Sequence, residues 1–169
     1  MNLIVAVDKE WGIGNKGDLL ARVKGDLMNF RRLTEGKVVV YGFNTLATFP
    51  GANPLKKRTN IVLTRKKNFF KDGLLVANSI DDLLKILENF PKEDVFVIGG
   101  ESIYRQLLPY CDKAYVTFFD KSYEKDAYMP NLDDDNGWVM TEKSQTLYSD
   151  GQTDSEDELP YVFTIYEKR

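Results

Sequence analysis

The stretch Leu3-Ile-Val-Ala-Val7, then Trp11-Gly-Ile-Gly-Asn-Lys-Gly-Asp18, then Gly25-Asp-Leu-Met-Asn-Phe-Arg-Arg-Leu33 decides the reading of this chain. It reads as a short apolar strand, a glycine-punctuated loop and a helix beginning near Gly25. Successive helical residues turn by about 100°, so Asp26, Phe30 and Leu33 project to nearly the same side, with Leu27 beside them. A carboxylate on a core-facing stripe is costly unless something pairs with it. The chain has no histidine, the commonest proton-transfer side chain near neutral pH. That makes Asp26 the leading candidate for acid or base chemistry. A second reading is equally open: a first-turn carboxylate stabilised by the helix dipole and nothing more.

Working outward, strands and helices alternate through the first two thirds. Lys37 to Tyr41 is a β-branched run suited to a buried strand, followed by a short helix over Asn44 to Phe49 that Pro50-Gly51 stops. Thr59 to Thr64 and Leu74 to Val76 are strands. Ser79 caps a helix that runs to about Asn89. Val95 to Ile98 is an apolar strand ending on Gly99-Gly100, and the next helix, with Ile103, Tyr104, Leu107 and Leu108 on one face, ends before Pro109. Ala114 to Phe119 is a strand. Trp138 to Leu147 and Pro160 to Glu167 then read as long antiparallel strands joined by the acidic segment Ser149 to Glu158. Strands separated by helices pair in parallel through right-handed crossovers. The fold class is α/β: one domain over residues 1–169, a mixed, mainly parallel twisted sheet flanked by helices, with a C-terminal antiparallel hairpin.

Composition narrows the function. The chain has 169 residues, 43% of them hydrophobic and 29% charged, and a net charge of -3, which gives no support to nucleic-acid binding. The apolar run Leu3 to Val7 is too short for a membrane span or a signal-peptide core. The single cysteine, Cys111, fits a reducing compartment and has no histidine to activate it. With only carboxylates otherwise available, no transition-metal site is expected. These features read as a cytoplasmic protein, with a monomer as the default state.

Open α/β sheets bind ligands at the carboxyl ends of their strands. Three glycine-bearing turns meet there: Gly12 to Asp18, Gly42-Phe-Asn-Thr45 and Gly99-Gly100. Together they favour a phosphate-bearing ligand such as a nucleotide. Gly12, Gly14 and Gly17 match G-x-G-x-x-G, but no helix is expected to begin there, so the match carries no weight.

Taken together, these residues resemble the dihydrofolate reductase family. The resemblance rests on Ile4 to Gly14, Asp26-Leu-Met-Asn-Phe30 with Thr34, Val40-Tyr-Gly-Phe-Asn-Thr45, Pro54-Leu55, Arg58 to Thr64, Val97-Ile-Gly-Gly100 with Tyr104, Val116-Thr117, and Asp126-Ala-Tyr-Met-Pro130. It spans essentially the whole chain. It implies reduction of 7,8-dihydrofolate to tetrahydrofolate with NADPH, a place in one-carbon metabolism, and binding of antifolate inhibitors. By the same resemblance Asp26 binds the pterin edge and promotes protonation at N5, with Thr117 hydrogen-bonded to it. Ile4 and Ile98 offer backbone carbonyls to the pterin amino group. Leu27, Phe30, Phe49 and Leu55 form apolar walls, and Arg58 pairs with the substrate's α-carboxylate. Ala6, Ile13, Gly42, Phe43, Asn44, Thr45, Thr64, Arg65, Lys66, Gly99, Gly100 and Tyr104 match cofactor contacts, and Gly12 to Leu20 matches a mobile lid. The pattern departs at three points. Ala21 stands where many members have tryptophan, which leaves proton delivery open and makes Arg22 a candidate. Phe43 replaces an arginine that meets the cofactor's 2′-phosphate, a task passed to Arg65 and Lys66. Leu19 replaces a lid methionine. A pyrimidine reductase of riboflavin synthesis and a non-catalytic folate- or nucleotide-binding protein are the competing readings.

Overall fold

The computed structural model describes residues 1–169. Its strands are β1 (Asn2–Val7), β2 (Gly12–Asn15), β3 (Asp18–Leu19), β4 (Val38–Gly42), β5 (Thr59–Leu63), β6 (Leu74–Ala77), β7 (Val95–Gly99), β8 (Lys113–Phe119), β9 (Ala127–Tyr128), β10 (Trp138–Lys143), β11 (Leu147–Tyr148) and β12 (Pro160–Lys168). The helices are α1 (Lys24–Thr34), α2 (Phe43–Leu46), α3 (Ile80–Leu87) and α4 (Glu101–Leu107). Nine strands form one sheet in the order β10-β12-β8-β1-β7-β4-β5-β6, with β11 on β12. Pairings from β8 through β6 are parallel, and β12 joins β8, β10 and β11 antiparallel. The expected mixed, mainly parallel sheet with an antiparallel C-terminal edge is therefore what forms.

Alternation along the strands sorts the apolar residues onto two faces. Leu3, Val5, Val7, Val38, Val40, Val95 and Val97 pack against Leu83, Ile103 and Leu107 of α3 and α4 in one dense core. On the opposite face Val39, Tyr41 and Val62 pack with Leu46, while Ala21, Val23, Phe119, Leu159 and Tyr161 form a separate cluster. β1 leads through α1 to β4 on one side, whereas β7 leads through α4 to β8 on the other. Right-handed crossovers running in opposite directions put their helices on opposite faces. The reversal falls at β1 and β7, and a crevice opens there, with Ile4 and Ala6 in its floor.

Helix α1 spans this crevice without filling it. Thr34 is its only fully buried residue. It starts at Lys24, one residue before the sequence suggests, and Val23 supplies no side-chain cap. The missing cap comes from far along the chain: Asp154 accepts the Lys24 backbone N–H at 2.8 Å. Ser79 caps α3 as expected, accepting from the Asp82 N–H.

Three sequence expectations need correction. The Gly12 to Asp18 loop is a β-ribbon, in which β2 pairs with both β3 and β9. The helix expected over Asn44 to Phe49 is one turn, because the Thr48 hydroxyl and backbone both bond back to Thr45. The strand expected from Trp138 to Leu147 breaks after Lys143. A bulge between Met140 and Glu142 disturbs the register, and the Ser144 hydroxyl takes the Phe163 N–H at 2.9 Å.

Leu107 is fully buried beneath the sheet, while Phe70 is 77% exposed. Leu107→Ala is expected to lower unfolding free energy by about 2–5 kcal/mol, the range for deleting buried leucine methyls. Phe70→Ala should stay within about 0.5 kcal/mol. Urea unfolding of both variants checks the assignment of the core to that face.

Candidate active site

Asp26 sits in the first turn of α1 and turns toward β8. Removal from water drives its carboxyl up to about 6, against the pull of a hydrogen bond from Thr117. The chain positions both partners by simple periodicity. Thr117 lies on the face of β8 opposite the core residue Val116, and Asp26 lies on the inward stripe of α1. The helix-dipole reading alone does not account for the pair, since a dipole would lower the carboxyl's pKa.

The apolar walls stand beside it. Phe30, Phe49 and Leu55 are partly covered, and Leu27 is exposed. The Arg58 guanidinium lies 5.7 Å from the centre of the Phe30 ring. Its Nε donates to the Thr34 hydroxyl at 3.0 Å, and that hydroxyl donates to the Phe30 carbonyl at 2.8 Å. The Arg58 Nη1 donates to the Lys56 carbonyl at 3.2 Å, so the guanidinium is held in place with Nη2 left to meet a carboxylate. The turn carrying it is fixed by Asn60, which is 1% exposed. The Asn60 amide takes the Tyr41 hydroxyl and the Leu55 N–H, and donates to the Leu55 and Arg58 carbonyls. Sequence reasoning gave Asn60 and Thr34 no role. A polar residue at the head of the apolar run Ile61 to Leu63 was the available signal.

Two of the three glycine-bearing turns converge. The Ile4 carbonyl accepts from the Tyr104 hydroxyl at 2.8 Å, joining β1 to α4. Gly99 has φ +127, a backbone conformation open mainly to glycine. A Cβ on Gly100 would lie 3.7 Å from the Thr45 Oγ1, so the Gly99-Gly100 and Gly42 to Thr45 turns face one another across a narrow cradle that side chains would fill. At its edge the Lys66 ammonium stands 4.2 Å above the Phe43 ring. Thr64 shapes the same turn by accepting the Lys66 N–H, and Asn78 donates to the Thr64 and Lys66 carbonyls. Positive charge therefore stands directly over Phe43. This cradle fits a phosphate-bearing dinucleotide.

The ribbon of β2 and β3 follows directly after β1, with Ile13 partly buried and Leu19 exposed. Its base is a buried lock. Asp8, fully buried, accepts from the backbone of Glu10, Gly12 and Tyr123 and from Lys125 at 2.7 Å. Burial alone would raise its pKa, but the ammonium and the three N–H groups outweigh it and hold the carboxyl below its ordinary value. A Cβ on Gly12 would run into the Lys125 stem, so a larger residue here would push the lysine out of the lock. The tip is tied by Lys16 N–H to Asp126 at 3.0 Å. Arg22 does not reach Asp26: its side chain pairs with Asp18 at 2.9 Å and is largely exposed. Ala21 is enclosed with Val23, Phe119, Leu159 and Tyr161. Cys111 is buried with its thiol pushed up to about 12, which keeps it inert.

A perturbed carboxyl in a crevice at a strand-order reversal, beside a phosphate-sized cradle, defines a nucleotide-dependent enzyme of the α/β class. Comparison with known proteins makes this specific. The family model for dihydrofolate reductase matches residues 1–168. The chain is 39% identical to the dihydrofolate reductase of Staphylococcus haemolyticus, over 99% of this chain and 95% of that protein. It is 32% identical to that of Bacillus subtilis, over 100% and 95%. A solved dihydrofolate reductase from Enterococcus faecalis, complexed with NADP(H) and RAB-propyl, superposes with a TM-score of 0.85 at 28% identity, covering 99% of this chain and 95% of that one. The chain belongs to the dihydrofolate reductase family, which decides against the pyrimidine reductase alternative.

The raised carboxyl makes a thermodynamic prediction. A folded-state pKa of about 6 against 3.8 for the free side chain means that the native protein binds more protons between those values. Its stability therefore falls as pH rises through this window. At 1.36 kcal/mol per unit, the ionised group costs on the order of 2–3 kcal/mol at pH 7. Asp26→Asn is expected to melt higher than the parent at pH 7.5, with the advantage shrinking toward pH 4. A thermal melting series against pH measures it.

Proposed function

We propose the following division of labour in the reduction of 7,8-dihydrofolate to tetrahydrofolate by NADPH, the reaction of this family. Asp26 receives the pterin's N3–H and 2-amino group with its two carboxyl oxygens, a bidentate match of acceptor pair to donor pair. With a pKa near 6, roughly a tenth of the carboxyl groups carry a proton at neutral pH, enough to favour the N5-protonated, more electrophilic substrate. Thr117 orients the carboxyl. The carbonyls of Ile4 and Ile98 face the pterin's amino side, and Leu27, Phe30, Phe49 and Leu55 exclude water from the ring system. Arg58 meets the α-carboxylate at the far end.

NADPH, when bound, supplies the hydride. The residues that hold it in this reading are Ala6, Ile13 and Tyr104 around the nicotinamide, and Gly99, Gly100, Gly42, Asn44 and Thr45 along the phosphates. Thr64, Arg65 and Lys66 with Phe43 surround the 2′-phosphate. The observation that supports the assignment most directly is the desolvated Asp26 carboxyl bonded to Thr117 within reach of this cradle.

No helix is long and apolar enough to cross a membrane. We read the chain as one domain, since strands from both chain ends lie two places apart in a single sheet. It acts as a cytoplasmic monomer that binds antifolates in the pterin crevice and does not engage nucleic acid.

Dihydrofolate-dependent loss of NADPH absorbance is the test. Asp26→Asn should lower kcat/KM at pH 7 by roughly 10²- to 10⁴-fold, the range for a general acid or base. Full activity in that variant at neutral pH would remove Asp26 from its role. Arg65→Ala with Lys66→Ala should raise KM for NADPH by roughly ten- to a hundredfold, as expected for lost charged hydrogen bonds, and leave KM for NADH nearly unchanged. Equal effects on both cofactors would contradict the 2′-phosphate assignment.

A further inference from the structure

Helix α1 divides the space above the sheet. The pterin crevice, with Leu27 and Phe30, lies on one side. On the other, α1 and strands β8, β10 and β12 line a second cavity of about 270 Å³ that opens to solvent. Its floor is Thr117 and its cross-strand partner Phe163. Asn29, Arg32 and Leu33 of α1 form its roof, and Glu142 and Lys143 its outer wall. Asn29 and Leu33 stand three and seven residues beyond Asp26, on the same helix face. Thr117 belongs to both compartments, since it lines the cavity and is hydrogen-bonded to Asp26.

We propose that this rear cavity is the water-filled route by which Asp26 regains its proton, with the Thr117 hydroxyl as the relay; this rests on Asp26 being the acid of the reductase reaction. Polar groups of Asn29, Arg32, Thr117, Glu142, Lys143 and Ser144 line it among apolar ones, and a space of this size with such partners holds water. The front offers no comparable path. Ala21 is packed among apolar neighbours and Arg22 turns outward to Asp18, while substrate covers the crevice face of Asp26. A hydroxyl donates and accepts at once. As Thr117 passes its proton to the carboxylate, its oxygen takes one from a cavity water, which is resupplied from bulk solvent. The carboxylate becomes the acid and Thr117 is unchanged. Tyr115 of β8, Arg32 of α1 and Glu142 and Lys143 of β10 are the titratable groups facing this path.

Asn29→Phe fills the cavity while leaving the Asp26 and Thr117 side chains and the crevice residues unchanged, and Asn29→Ser leaves it open. Turnover is measured in H2O and D2O between pH 6 and 9. The Phe variant is expected to lose roughly tenfold in kcat above pH 7 with an enlarged solvent isotope effect and unchanged KM values, while the Ser variant stays within about twofold of the parent. Leu33→Phe, which enters the same space from the next turn, should behave like Asn29→Phe and serves if that variant does not fold. Folded filling variants with the parent's kcat and solvent isotope effect overturn the rear route. If Asp26→Asn is still impaired, the reductase reading stands, whereas a fully active Asp26→Asn overturns both.

Discussion

A carboxyl group kept partly out of water is the constraint on which the rest of this structure depends. Placing Asp26 over the sheet raises its pKa and costs stability, and nothing in the protein neutralises it: the one partner is an uncharged hydroxyl, Thr117. A lysine or arginine in that place would stabilise the fold and pull the carboxyl well below neutral pH. The chain instead leaves the charge to be balanced by the pterin edge. This is why α1 does not pack down onto its strands as α4 does: α4 buries Ile103, Tyr104 and Leu107, whereas α1 buries only Thr34.

A helix so loosely seated has to be held by other means. Asp154 caps its N-terminus, and Ser155 exchanges two hydrogen bonds with Arg22 just before it. Thr34 at the other end is clamped between the Phe30 carbonyl and Arg58. Asn60 then fixes the Arg58 turn, and Asp8 with Lys125 fixes the base of the ribbon. Polar groups buried in this way are favourable only when fully satisfied, and no buried side-chain nitrogen or oxygen here lacks a partner. The dense core under the other face, built from Leu83, Ile103 and Leu107, provides the rigid platform.

Much of this was legible in the sequence because it follows from local periodicity. The strand Leu3 to Val7, the Ser79 cap, the Gly99-Gly100 turn and the inward stripe of Asp26 each announce themselves within a few residues. What stayed hidden depends on contacts between distant segments. The Gly12 to Asp18 ribbon is stabilised by β9, over a hundred residues away, so its glycines look like a loop. The break after Lys143 follows from a hydroxyl meeting Phe163. Asn60, Asp154 and Lys125 carry no motif; each matters only for what the fold brings next to it. Family resemblance supplied Arg58 and the phosphate contacts, but Ala21 lay outside its pattern, and only the three-dimensional arrangement shows apolar packing around it and a cavity behind Thr117.

The central claim is the ionisation of Asp26, and its carboxyl can be titrated directly by difference infrared spectroscopy of the parent against Asp26→Asn, without substrate. The account predicts a single carboxyl band that titrates with a pKa near 6 and moves higher in Thr117→Val, which loses the hydrogen bond to the charged form. A band titrating near 4, or one indifferent to Thr117, would contradict it.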